Sequence, residues 1–199
     1  MTLASSSLSL VLARRNRFSR RRDLFLRFAI LFAGCAGIGF PAKAQQPKAE
    51  EYQIKAVYLF NFGRFIQWPA TAPKGESFDI CVLGRDPFGA ALDETLAHET
   101  IGNQKLATRR LTSSREVSGC RILFIGASEA PRIKEILTSV EKANVLTVSD
   151  LPGFTNSGGM IQFVLKENKV RFEVNLAAAG KAGLNLSSQL LKVASDVKR

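Results

Sequence analysis

The 199-residue sequence holds one histidine, His98, and three cysteines, Cys35, Cys81 and Cys120. A single histidine excludes every mechanism that needs two. The cysteines are too far apart to form the close ligand pairs usual for zinc, so no metal or other cofactor is expected. No apolar run reaches the ~20 residues that span a bilayer; the main one, residues 28–41, has 14. Internal repeats and low-complexity tracts are absent. So is a G-x-S-x-G nucleophile elbow.

Two glycine-containing segments fall short of phosphate loops. Gly180-Lys181 lacks the first glycine and the final Ser/Thr of that motif. Gly84-Arg85-Asp86-Pro87-Phe88-Gly89 follows an apolar run, where a dinucleotide loop would sit. Its spacing is wrong, and Pro87 with bulky Phe88 would obstruct a pyrophosphate. A Ser-His-Asp triad would have to join His98 to Ser187 or Ser188, but His98 sits at an expected helix end, where a solvated cation suits the helix dipole.

Positive charge is abundant, yet unevenly placed. Lys and Arg total 28 against 17 Asp and Glu, a net of +11. Residues 1–44 hold eight of the positive charges and one negative, leaving 20 and 16 on the body, a net of +4. No nucleic-acid partner is expected of so modest an excess. The same 44 residues read as a signal peptide: basic over 14–27, apolar over 24–40 apart from Arg27, then Ala42-Lys43-Ala44 as the cleavage pattern. Arg21-Arg22-Asp23-Leu24-Phe25 approaches a twin-arginine signal, with an ordinary basic n-region as the other reading. Phe32-Ala33-Gly34-Cys35 is a faint lipoprotein pattern, less expected than a free exported chain. The mature domain, 45–199, is thus expected in the periplasm without a membrane anchor.

Export changes the meaning of Cys81 and Cys120. Each lies in an apolar run, 78–83 and 120–125; if these are neighbouring strands, a disulfide is favoured in an oxidising compartment. Two buried free thiols are the alternative.

Periodicity predicts the rest. A helix runs from Glu50 toward Trp68, with Pro69 ending it. Asp86-Pro87 opens a second helix, and strands follow at 105–111 and 121–125. Ser128 and Pro131 begin a third helix, before a strand at 145–149. Residues 160–165 and 170–174 form a hairpin around Glu167-Asn168. Asn175 and Ser187 cap two final helices, the last burying Leu190, Leu191, Ala194 and Val197. The fold class expected is α/β, a single domain with a mixed sheet, flanking helices and a C-terminal hairpin-helix unit.

Four side chains exceed what a core needs. Arg64 and Trp68 lie at the polar edge of the first helix end, and these residue types dominate many protein contacts. Arg171 and Glu173 alternate with Val170, Phe172 and Val174, which puts them on the other face of the hairpin.

Lys55-Ala56-Val57-Tyr58-Leu59-Phe60-Asn61-Phe62-Gly63-Arg64-Phe65 with Trp68-Pro69 resembles the opening motif of the YfiR/HmsC-like family of periplasmic regulators. Further similar pieces follow in order: Cys81-Val82-Leu83-Gly84, Asp86-Pro87-Phe88-Gly89, Val145–Asp150, Gly158-Gly159-Met160-Ile161, Arg171-Phe172-Glu173-Val174-Asn175 and Ala182-Gly183-Leu184. The resemblance implies an α/β periplasmic protein, not an enzyme, that restrains an inner-membrane diguanylate cyclase by binding its periplasmic sensor region. It limits cyclic di-GMP and biofilm formation, and an outer-membrane lipoprotein sequesters it in some systems. The resemblance also supports the Cys81–Cys120 bridge. A second cysteine pair of some relatives has no counterpart here, because 155–162 contains no cysteine. A homodimer stays open, and a periplasmic small-ligand binding or sensing protein is the alternative function.

Overall fold

The computed structural model describes residues 46–72 and 75–199; the expected leader over 1–44, its cleavage site and Cys35 lie outside the described residues. In order, the chain forms α1 (Gln46–Phe65), β1 (Ile66–Gln67), β2 (Ser77–Leu83), α2 (Ala90–Leu96), β3 (Thr100–Ile101), β4 (Gln104–Leu111) and β5 (Cys120–Ile125). It continues with α3 (Ile133–Val140), β6 (Leu146–Ser149), β7 (Ile161–Lys166), β8 (Lys169–Asn175), α4 (Leu176–Lys181), β9 (Asn185–Leu186), α5 (Ser188–Val193) and β10 (Asp196–Lys198).

Eight strands make one mixed sheet in the order β10-β8-β7-β6-β5-β2-β4-β3. The pairings from β4 through β2, β5 and β6 to β7 are parallel, and β7–β8 and β3–β4 are antiparallel. β1 and β9 pair separately. The expected α/β class with a mixed sheet is the one observed.

Side-chain alternation builds a core on each face of this sheet. Ile80, Val82, Ile122, Phe124, Val148 and Phe163 point toward α1. Cys81, Leu83, Leu123 and Ile125 point the other way, toward Ile136 and Val140 of α3 and toward Phe154. α1 contributes Ala56, Leu59 and Phe62, all buried at helical spacing, and Ile66 of β1, directly after it, is buried too. Phe62 meets Phe172 edge-on at 5.1 Å between centroids, and Tyr58 meets it at 5.5 Å. Such edge contacts add about 0.5–1.5 kcal/mol each beyond burial. Gly63 lets the helix close on Ile101 and Phe78, since a Cβ there would run into the Ile101 Cδ1 and crowd the Phe78 ring.

The hairpin turn at Glu167-Asn168 is as expected: both residues have φ near +55°, at 52° and 58°, which fits a two-residue turn that matches strand twist. The caps are present too. Asn175 Oδ1 accepts the Ala178 N–H at 3.0 Å, and Ser187 Oγ accepts that of Leu190 at 3.2 Å. Asn175 also donates through Nδ2 to the Thr155 carbonyl at 2.9 Å. Asn175→Ala is therefore expected to lower stability by about 1–2 kcal/mol, read as a lower urea midpoint at unchanged slope.

Three expectations are corrected. α1 begins at Gln46, not Glu50. Asp86-Pro87 forms a turn rather than a helix start: Asp86 Oδ1 accepts the Phe88 N–H at 2.7 Å, Gly89 takes φ +55°, and α2 begins only at Ala90. Val197 is not helical. Ser195 donates through both its main-chain N–H (2.8 Å) and its hydroxyl (2.9 Å) to the Phe172 carbonyl. That pins the chain beside β8 and makes β10 a parallel edge strand.

Candidate functional site

Helix α1 is fastened to the sheet by a buried ionic cluster. Lys55 is 3% exposed, on the same side of the helix as the core residues Leu59 and Phe62. Its Nζ lies 2.7 Å from Asp150 Oδ2 and 2.5 Å from Glu51 Oε1, and 4.3 Å from the Tyr52 ring centroid. The Tyr52 hydroxyl donates to the same Asp150 oxygen at 2.7 Å. Asp150 follows directly on Ser149, the last residue of β6. Burial, followed by the hydrogen bond to Asp150, raises the Tyr52 pKa well above the ordinary tyrosine range. The phenol and the ammonium thus converge on one carboxylate oxygen, and the cluster acts as a clamp between α1 and the end of β6.

Beside the clamp is a cavity of about 340 Å³ lined by Glu51, Lys55, Asp150, Pro152, Gln162, Phe163, Val164 and Leu165. A second cavity, about 550 Å³, lies past the carboxyl ends of β2 and β5, lined by Lys48, Ala49, Tyr52, Arg85, Pro87, Ala127 and Ser128. The chain leaves β2 toward β4 on one side and then returns to β5 on the other. This reversal of strand order is where open α/β sheets place ligands. The Arg85 N–H donates to Ser128 Oγ at 2.9 Å, which holds the two loops together. Phe88 turns inward instead of blocking the loop, edge-on to Phe124 at 4.7 Å and to Tyr52 at 5.4 Å.

The four residues singled out for partner contact fall on two separate surfaces. Arg64 is exposed in the last turn of α1, with its guanidinium 5.7 Å from the Phe60 ring centroid. Trp68 is half-buried, edge-on to Phe78 at 5.3 Å, and the Arg121 guanidinium lies 6.0 Å from its ring. Burial lowers the Arg121 pKa. Among the described residues the Trp68 Nε1–H has no acceptor. On β8, Arg171 is exposed, and Glu173 is half-buried with Lys166 Nζ 3.5 Å away. Because Phe172 packs on α1, strand alternation puts Arg171 and Glu173 on the opposite face of the sheet from Arg64 and Trp68. Glu173 sits in register with Gln162 of β7 and Asp196 of β10. His98 is exposed after α2, and the Ser187 hydroxyl is occupied as a helix cap.

Cys81 and Cys120 are joined in the structure, with Cα atoms 5.9 Å apart. They lie on the adjacent strands β2 and β5, and the register shifts between Asp79 and Ile80 beside the bridge. Both are buried, at 0% and 5% exposure.

Sequence reading missed the Lys55–Asp150 pair. A lysine in an apolar helix pattern passes for a solvated one, and its partner lies 95 residues away. It missed the Arg110 cluster also: Arg110 on β4 reaches Asp86 at 3.0 Å and Asp93 at 2.6 Å. That hydrogen bond holds the Asp93 carboxyl below the usual carboxylate range.

A conserved domain protein from Vibrio cholerae O1 biovar El Tor str. N16961 superposes with a TM-score of 0.51 at 10% identity, covering 74% of this chain and 60% of that one. The ABC domain in complex with L-Trp from Streptococcus pneumonia gives 0.48 at 11% identity, with the same two coverages. The chain thus spans about 60% of the length of these solved chains, and at such identity the first likeness speaks to fold alone. A family model described as YfiR/HmsC-like matches residues 52–195, a stretch that contains Tyr52, Lys55 and Asp150 of the clamp, the bridged cysteines and the β7–β8 hairpin, and the chain belongs to the YfiR/HmsC-like family.

Proposed function

We propose that the mature chain is a non-enzymatic periplasmic repressor that binds the periplasmic sensor region of an inner-membrane diguanylate cyclase. In doing so it limits cyclic di-GMP and biofilm formation. Membership of the YfiR/HmsC-like family supports the broader role, a periplasmic regulator in cyclic di-GMP signalling. The observation that carries the finer reading is the charged strip on β8. Arg171 and Glu173 project from a strand whose other face is fully engaged with α1, so the core does not need them. Arg64 supplies a second surface at the end of α1, with Trp68 buttressing it from the rim of the core. A repressor of this kind works by differential affinity for two states of its target; a ~100-fold preference corresponds to about 2.7 kcal/mol. An outer-membrane lipoprotein competing for the same surface would release the cyclase.

Arg171→Ala or Glu173→Ala is expected to raise cellular cyclic di-GMP to the level of a deletion strain. The melting temperature should stay within a few degrees, since such surface changes cost about 0.5 kcal/mol or less. Unchanged cyclic di-GMP in the deletion strain itself would dismiss the repressor reading. A second reading, small-ligand sensing, is favoured by the crevice at the strand-order reversal. Native mass spectrometry of periplasmic material, showing a retained metabolite and no affinity for any cyclase sensor region, would favour it over the first.

A further inference from the structure

The sheet has a notch. β6 ends at Ser149, paired with Gln162, while β7 runs on to Lys166. From Phe163 to Lys166, β7 is therefore paired on one side only, with β8, and the lane that β6 vacates opens into the 340 Å³ cavity beside the clamp.

The direction of the free backbone groups follows from the hairpin. The Asn175 N–H donates to the Met160 carbonyl at 2.8 Å, and the two-residue turn closes on the Lys166–Lys169 pair. In an antiparallel ladder the hydrogen-bonded pairs alternate, so the even-numbered residues of β7 face β8 with their main-chain groups. The odd-numbered ones face the other way. Leu165 accordingly turns both its N–H and its C=O into the vacated lane, and no loop or cap among the described residues bonds to either. Its side chain, on the α1 side, is 59% exposed, and Ile54 on α1 is 48% exposed. Natural sheets normally cover, shorten or charge such an edge.

We propose that this notch receives an extended segment of a partner polypeptide, added as a strand along the open edge of β7. The segment would carry a basic side chain toward Glu51 and Asp150 and an apolar one over Leu165. Unpaired donors and acceptors at strand spacing are matched by another main chain, and strand addition is a recurrent mode of peptide recognition. The charge follows from the clamp: two carboxylates face one lysine, which leaves one negative charge in excess at the mouth of the cavity. Alternation along a strand then sets an apolar residue two positions from the basic one. The site is separate from the Arg171/Glu173 strip, and it stands whether or not the cyclase is the partner.

The test is selection of random displayed peptides against the mature chain, followed by amide exchange of the wild-type protein with the synthetic winners. Enriched peptides should carry a Lys or Arg two positions from an apolar residue and slow exchange of the Leu165 amide about 10-fold or more. The Val164 amide, already bonded to β8, should change little. Leu165→Pro removes the outward N–H without touching the β7–β8 ladder and should weaken binding about 10-fold or more. If that variant misfolds, exchange at Leu165 in the wild type decides alone. The proposal is overturned if no peptide is enriched, or if winners bind without slowing Leu165. It is equally overturned if the Leu165 amide is already protected in the free protein, whether by a second copy seen in sedimentation or by the chain's own residues.

Discussion

Asp150→Ala is expected to lower the unfolding free energy by about 3–5 kcal/mol, the range for breaking a buried ion pair from one side. The substitution leaves the Lys55 ammonium inside the fold with only Glu51, whose own side chain is 22% exposed. It also strips the acceptor from the Tyr52 hydroxyl. The ammonium, on a side chain 3% exposed, has little access to water where it sits. Lys55→Met in the same chain should recover a large part of the loss, because a buried pair replaced by apolar groups of similar volume is often neutral. Urea unfolding of the single and double variants reads both effects, and a cost below about 1 kcal/mol for Asp150→Ala would mean that the clamp is solvated. The clamp also sets an alkaline limit. The Tyr52 pKa is raised in the folded state, so its contribution is complete below the ordinary tyrosine value of about 10 and is lost as pH rises beyond it. Tyr52→Phe should flatten that alkaline decline.

The clamp also marks where sequence reading stops. The hairpin at Glu167-Asn168 and the caps at Asn175 and Ser187 were legible because each is decided within a few residues: a turn conformation or one side-chain bond to a nearby N–H. The alternation of Val170, Phe172 and Val174 identified the inner face of β8 for the same reason. What failed was decided at a distance. β10 has three residues, two of them charged, and exists because Ser195 is tied to the Phe172 carbonyl 23 positions away. Asp86-Pro87 has good local credentials as a helix start. Arg110, approaching from β4, instead bonds the other Asp86 oxygen and the Gly89 carbonyl, which fixes the segment as a turn. For the partner residues, the sequence placed Arg171 and Glu173 on the outer face of their strand. Only the packing of Phe172 on α1 revealed that Arg64 and Trp68 belong to the other side of the sheet. One partner patch touching all four would have to wrap around an edge of the sheet.

Removing the bridge with Cys81→Ala and Cys120→Ala together is expected to destabilise the protein by about 4 kcal/mol on the chain-entropy account. The bridge spans 39 positions of sequence, and cutting it restores that freedom to the unfolded chain. Two signatures separate this from the loss of two buried thiols. Unbridged cysteines act as small hydrophobes, and replacing them by alanine in the folded state would cost about 0.5–1.5 kcal/mol in all. The bridged protein should also show a smaller urea slope than the variant, because the cross-link keeps its unfolded state compact. Peptide mapping without reductant that finds both thiols free in periplasmic material would remove the bridge altogether. A loss of about 4 kcal/mol is a large part of the total stability of most domains, so the variant's steady-state abundance should fall, and under the proposed repressor role cyclic di-GMP would rise without any surface being altered. Redox control through this bridge is limited by its location. Cys81 and Cys120 are 0% and 5% exposed between β2 and β5, and exchange requires an attacking thiolate to reach a sulfur. Reduction of the wild-type protein should therefore proceed no faster than the sheet opens. If it instead runs at the rate of an exposed disulfide with the fold intact, the bridge is accessible and a redox input to the proposed regulatory role becomes the better account.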